Sequence, residues 1–367
     1  MMNWYFGLSE ASIDRQDHGW CGLIRVAVRS ARQNTSLVPH MLYDGAENEF
    51  IKEISDAGVR VIRHRVSFYD RLQQVSKTRP GYLAIASGAF LRVEIPLIET
   101  QSEFALYTDC DVMFGQSLNL RDIKPANFAA APQFSQTDYD NDMNTGVMVM
   151  NIASLRQSLP EFTHFIHENL NAGWPGCDQE HYRRFYKGQY SSLPTTLNWK
   201  PYWGINEDAG IVHWHGPKPL MARRLVMNPD RVTNSDWKKL FATNPRAYEH
   251  YIAVWDAFSD GIPKTLFGHL DVLESSGGAG WVLDGDDCLR PVSLSVFVDG
   301  ERIAAMNNGA ARADLQRIYS SDIGGFTFQL PTRFCDGGRH TVAIHDERDQ
   351  PIQLKYLTGL SRQFEFS

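Results

Sequence analysis

The 367-residue chain contains no Cys-x-x-Cys pair, and its five cysteines, at positions 21, 110, 177, 288 and 335, are scattered and odd in number. That pattern excludes a disulfide framework or a clustered zinc site and leaves reduced thiols as the expectation. There is no Walker-type phosphate loop, which excludes that class of phosphotransferase. No apolar run approaches the ~20 residues needed to cross a bilayer, and the first residues lack the charged-then-apolar order of a signal peptide. The expectation is a soluble, cytoplasmic protein without a transmembrane segment. Basic residues are also in deficit: 36 Lys and Arg stand against 43 Asp and Glu, a net charge of −7. Nucleic-acid partners, which demand clustered cations, are excluded. What remains is a chain 43% hydrophobic, longer than one typical domain and able to bury a large core.

The most informative stretch is Phe104-Ala-Leu-Tyr-Thr-Asp-Cys-Asp111, an apolar run that ends in two carboxylates one residue apart. Along an extended strand, alternate side chains share a face, so Asp109 and Asp111 converge while Cys110 points away. Two such acids repel unless a cation lies between them, and oxygen ligands suit Mg²⁺ or Mn²⁺. The alternative is a solvated turn after a strand, where Asp is common.

Around that stretch, strands alternate with helices. Asn3 to Leu8 reads as a strand, Leu23 to Ala31 as a helix, Leu37 to Tyr43 as a strand, Ile51 to Ala57 as a helix and Val59 to Ile62 as a strand. A polar loop through Arg79-Pro80-Gly81 leads to a helix over Phe90 to Pro96, ending at its proline. Strands are expected over Phe128 to Pro132 and over Asn144 to Asn151, where Gly146 permits a close approach. His164 and His167 lie three apart on the following helix, and their company makes them surface residues rather than ligands. Asp178 marks the start of the next helix and reads equally as an N-cap. Ile211-Val-His-Trp-His-Gly-Pro-Lys-Pro219 delivers His213 and His215 on one strand face, then a glycine and a lysine. This βαβ order implies a mostly parallel sheet covered on both faces.

Six of these pieces, in order, resemble the family-eight retaining glycosyltransferases, which include glycogenin and lipopolysaccharide sugar transferases. They are Phe90-Leu-Arg-Val-Glu-Ile-Pro, Tyr-Thr-Asp109-Cys-Asp111, Asn144-Thr-Gly-Val-Met-Val-Met-Asn, Asp178-Gln179, Leu193-Pro with Leu-Asn198-Trp, and His213-Trp-His-Gly216-Pro-Lys218-Pro. The resemblance implies a GT-A, Rossmann-like nucleotide-sugar-binding domain. It implies that Asp109, Asp111 and His213 hold Mn²⁺ or Mg²⁺ against the diphosphate of a nucleotide-sugar donor, a UDP-sugar. It further implies that Arg92, Asn144, Gly216 and Lys218 bind that donor and that Asp178 and Gln179 act beside the donor sugar and acceptor. The closing motif departs from the family pattern: one residue instead of two separates Gly216 from Lys218, and Leu220 stands where the family has Trp. The shortening leaves open whether His213 or His215 meets the metal.

The domain reading is a catalytic domain over 1–225, a helical extension over 226–264 and an antiparallel β-sandwich over 265–367. Short alternating runs such as Val292 to Val298 and His340 to Ile344 carry the sandwich, and Asp299-Gly300 is a hairpin signal. Trp281, in an alternating strand, is expected in its core. The functional expectation is a metal-dependent retaining hexosyltransferase acting on a nucleotide sugar and a carbohydrate-bearing acceptor. Peripheral membrane contact and homo-oligomers are compatible with it. The rival is a carbohydrate-binding or assembly protein on the same scaffold with impaired catalysis, motivated by the shortened motif.

Overall fold

The apolar runs of the N-terminal part become strands in the computed structural model, which describes every residue except 1, 14–18, 172–176, 320, 358 and 367. In chain order these are β1 (Asn3–Ser9), β2 (Val38–Asp44), β3 (Arg60–Arg63), β4 (Phe104–Thr108), β5 (Val112–Phe114), β6 (Phe128–Pro132), β7 (Met143–Asn151), β8 (Ser191–Ser192) and β9 (Ile211–His213). Seven form one sheet in the order β3-β2-β1-β4-β7-β6-β8, parallel except for β7, which is antiparallel to both its neighbours. β5 and β9 make a separate antiparallel ladder that sets Val112 opposite His213. The fold is mixed α/β with a mostly parallel sheet.

The sheet is covered on both faces, as continuous apolar strands require. Alternation sends Leu106, Val147 and Val149 into one core and Ala105, Tyr107, Met148 and Met150 into the other. Helix Trp20–Asn34 seals the first with Ile24, Ala27, Val28 and Ala31. Helix Ile152–Asn169 seals the second with Leu155, Phe162 and Ile166. His164 and His167 lie exposed on that helix, His167 with its ring edge-on to Phe68.

Three local expectations are corrected. The segment through Arg79 to Gly81 is only a turn between helices Tyr69–Ser76 and Tyr82–Ala89, whose short lengths hid their periodicity. Phe90–Glu94 is a 3₁₀ turn, and Pro96 opens the next helical turn, Ile95–Ile98, because a missing N–H costs nothing in a first turn. Asp178 is the first residue of helix Asp178–Phe185, with Cys177 in the cap position, and its carboxylate pairs with Arg92 as well as facing the helix's first N–H groups.

The chain divides into two compact units, Met1–Ile262 and Pro263–Ser367. The first unit ends in helices Pro219–Met227, Ser235–Thr243 and Pro245–Ser259. Asn234 and Asn244 cap the last two with their side chains. The second unit holds a five-stranded and a four-stranded sheet, mostly antiparallel, sharing one core. Leu270, Val282 and Phe326 come to it from one sheet, and Val296, Val342 and Ile344 from the other. Asp299 and Gly300 both have positive φ (49° and 83°), the backbone of a two-residue hairpin turn. Trp281 is not in that core: Val282 points in, and Trp281 lies on the opposite face between Phe267 and Tyr319, each 5.7 Å away.

Candidate functional site

The chain runs from β1 to β2 and β3 on one side and to β4 on the other, so a crevice opens beyond the carboxyl ends of β1 and β4, where open α/β sheets receive ligands. A pocket of about 880 Å³ occupies it, floored by Gly7 and Leu8 from β1 and by Asp109 and Asp111 beyond β4. β4 stops at Thr108, and the two acids lie in the short link to β5 rather than on a strand. Their convergence is held by the backbone: Asp109 N–H donates to Gly146 O on β7 (2.8 Å), and Trp214 N–H donates to Asp111 O (2.9 Å).

Asp109, Asp111 and His213 each offer a ligand atom within 4.8 Å of the others. His213 Nε2 lies 3.5 Å from Asp111 Oδ1 and 3.8 Å from Asp109 Oδ2. The ring is buried against Gly146, where a Cβ would come within 2.1 Å of its Cε1. Asp111 is buried too, not a solvated strand-end acid, and it pairs with Lys218, which also donates to Trp214 O (2.9 Å). Burial alone would raise the Asp111 carboxyl, but the Lys218 ammonium and the His213 ring beside it hold it well below the ordinary range.

Arg92 joins the two acidic parts of the pocket. Its guanidinium pairs with Asp109 (2.6 Å) and Asp178 (2.7 Å), donates to Thr145 O (2.6 Å) and lies 4.3 Å over the Tyr107 ring. Burial works against its charge, and the two carboxylates more than restore it. Asp178 is pushed up to about 6, by burial first, with Arg92 opposing and Asp109 adding. Beside it Gln179 lines the pocket, its Oε1 accepting from Asn144 Nδ2 and Thr145 N, each 3.0 Å away.

The closing segment, although short, brings Gly216 and Lys218 to the pocket. Gly216 has φ of 90°, and a Cβ there would strike Leu240 at 2.6 Å. His215 lines the pocket as well, with Nδ1 3.0 Å from Tyr202 Oη, and burial together with His213, Lys218 and Lys200 drives its pKa well down. It is not among the three clustered ligands. All nine residues expected from the sequence therefore lie in or directly against one pocket. Sequence reasoning missed Gln133, which accepts from Gln179, and gave no role to Tyr107 of the quoted acidic motif, whose hydroxyl donates to Asp109 (2.9 Å). It also missed Ile85, Phe134, Trp237 and Leu240, which line the pocket from helices and loops distant in the chain. Asn198 stood in a quoted motif but was given no role.

No protein-family model matches the sequence, and no curated protein does. Among solved structures, the chain is similar to the galactosyltransferase LgtC in complex with donor and acceptor sugar analogs, at 14% identity and a TM-score of 0.47 over 65% of this chain and 100% of that one. It is similar to the apo form of the glycosyltransferase GlyE of Streptococcus pneumoniae TIGR4, at 17% identity and a TM-score of 0.45 over 74% of this chain and 67% of that one. A third similar structure is the apo form of the bifunctional glycosyltransferase WbbM, at 12% identity and a TM-score of 0.43 over 67% of this chain and 52% of that one.

Proposed function

We propose that the protein is a metal-dependent, retaining glycosyltransferase that moves a hexose from a nucleotide-diphosphate sugar, a UDP-sugar, to a glycan, glycolipid or protein acceptor. The observation that carries this reading is the convergence of Asp109, Asp111 and His213 within 4.8 Å at the carboxyl edge of the sheet, with Lys218 beside them. Two carboxylates and one imidazole form a mostly hard donor set that suits Mn²⁺ or Mg²⁺ over softer metals. Such an ion supplies positive charge where negative charge develops on a departing diphosphate.

The chain's own residues do the rest. Lys218 carries a second cation to the same place, and Gly216, lacking a side chain, lets a diphosphate approach the backbone. Arg92 holds Asp109 and Asp178 apart and in register across the pocket. Asp178 and Gln179, which line the same pocket, would supply a carboxylate and an amide to steady positive charge on the sugar. Asn144 fixes Gln179 through its amide. No general base is assigned, since in a retaining transfer the leaving phosphate can accept the acceptor's proton. In this reading the unit Met1–Ile262 is catalytic and Pro263–Ser367 an accessory module.

The test is a panel of nucleotide-diphosphate sugars incubated with the protein and Mn²⁺, with release of nucleoside diphosphate as the signal. Release from at least one donor, abolished by a chelator, is expected. Absence of release across the panel, with and without glycan acceptors, counts against the reading.

A further inference from the structure

A chain of side-chain amides runs beneath the pocket from the histidine of the acidic cluster to Gln179, and its hydrogen-bond directions can be worked out from the backbone. The N–H of Thr145, which can only donate, lies 3.0 Å from one terminal atom of Gln179, so that atom is Oε1. The Asn144 atom 3.0 Å from that oxygen is then its amide nitrogen. Its oxygen must face the other way, and there the N–H of Gly146, again donor only, meets it at 3.2 Å. Two backbone groups thus fix the Asn144 amide independently. The Asn198 atom 3.0 Å from Asn144 Oδ1 is consequently Nδ2, and Asn198 Oδ1 falls on His213 Nδ1 at 2.9 Å. That ring nitrogen carries the hydrogen.

Asn198 is wholly buried, and both its polar atoms are used, one toward the histidine and one toward the pocket wall. A buried amide so placed cannot turn over without setting acceptor against acceptor at Asn144 and donor against donor at His213. We infer that Asn198 is a positioning residue that holds the hydrogen of His213 on Nδ1, so that Nε2 is the ring atom turned toward Asp109 and Asp111, and that it links this histidine to Gln179 through Asn144. Nε2, 3.5 Å from Asp111 and 3.8 Å from Asp109, is then the ring atom that can offer its lone pair beside two carboxylates to a cation among them. The tautomer stands on hydrogen-bond geometry alone; the consequence for a metal rests on the function proposed above.

The experiment uses the full chain, ¹⁵N-labelled, without added metal. Two-bond ¹H–¹⁵N correlation spectra distinguish the two neutral tautomers of each histidine, and His213→Gln identifies the signal by its loss. Wild type is expected to show His213 protonated at Nδ1. Asn198→Asp keeps an acceptor for that hydrogen and is expected to keep the tautomer. Asn198→Leu removes the acceptor and is expected to release the ring to the Nε2–H form that unrestrained imidazole favours. Mn²⁺ titration should then show affinity reduced by roughly 10–100-fold in Asn198→Leu and largely retained in Asn198→Asp. A wild-type His213 with its hydrogen on Nε2 and none on Nδ1 overturns the inference without recourse to any variant. Equal losses of Mn²⁺ affinity in the Asp and Leu proteins overturn it too, because a merely structural role predicts that result. An Nδ1–H wild type that ignores Mn²⁺ supports the tautomer and overturns the metal reading instead.

Discussion

Gly146→Ala puts one methyl group where the structure has room for none. The added Cβ would lie 2.1 Å from His213 Cε1, 2.8 Å from Nδ1 and 2.9 Å from Nε2, closer than any real contact of this kind. The ring is only 2% exposed, and Asn198, held in turn by Asn144, lies against its Nδ1, so displacement is the only relief. Overpacking costs about 1–3 kcal/mol. A displaced ring also leaves the buried Asn198 oxygen without its donor, about another 1–3 kcal/mol. For a unit of this size the sum corresponds to a melting temperature lower by on the order of 10 °C. Gly359→Ala, where nothing lies within 4 Å, is the control and should be near neutral. Thermal melts of both proteins with and without Mn²⁺ are the assay. Wild type is expected to gain stability from Mn²⁺ by mass action, and Gly146→Ala to gain much less. A Gly146→Ala protein that melts with wild type and responds equally to Mn²⁺ would refute the packing of His213 on Gly146.

Asp111→Asn should destabilise the protein more than Asp109→Asn, because Asp111 is buried against Lys218 whereas Asp109 is 31% exposed; urea melts that rank them the other way would contradict this. His340, held between Asp299 (2.8 Å) and Asp336 (3.0 Å), has its pKa raised chiefly by those hydrogen bonds. Its stabilisation is therefore complete below about 6.5 and lost as pH rises through its folded value, so His340→Gln should differ most from wild type at pH 5–6 and least in alkali. A difference constant across that range would exclude the pairing. A protein ending at Ile262 is expected to fold and to release nucleoside diphosphate, since every residue of the pocket precedes that point; a folded fragment with no turnover would place part of the site beyond it.

Much of the N-terminal sheet was legible because its strands are buried on both faces and announce themselves as unbroken apolar runs, as in Trp4 to Phe6 and Val147 to Met150. The D-x-D pair was legible too, though for a partly mistaken reason: its acids converge through backbone bonds to Gly146 and Trp214, not through strand alternation. Helices Tyr69–Ser76 and Tyr82–Ala89 were hidden because eight residues offer barely two turns of periodicity. Trp281 was misplaced because alternation gives a period but not which face is inward. Asn198 and Tyr107 stood in quoted motifs without a role and Gln133 was not noticed, since hydrogen bonds linking Gln133 to Gln179 and Asn144 to Asn198 across 46 and 54 positions leave no pattern along the sequence.

The central claim, a divalent cation and a nucleotide diphosphate sharing the Asp109, Asp111, His213 and Lys218 cluster, is tested most directly by titrating Mn²⁺ calorimetrically with and without saturating UDP. Shared ligation makes the two affinities reciprocal, so UDP should tighten Mn²⁺ binding by the same factor by which Mn²⁺ tightens UDP, and Asp111→Asn should abolish the coupling. Mn²⁺ affinity that is unchanged by UDP, or coupling that survives in Asp111→Asn, would contradict it.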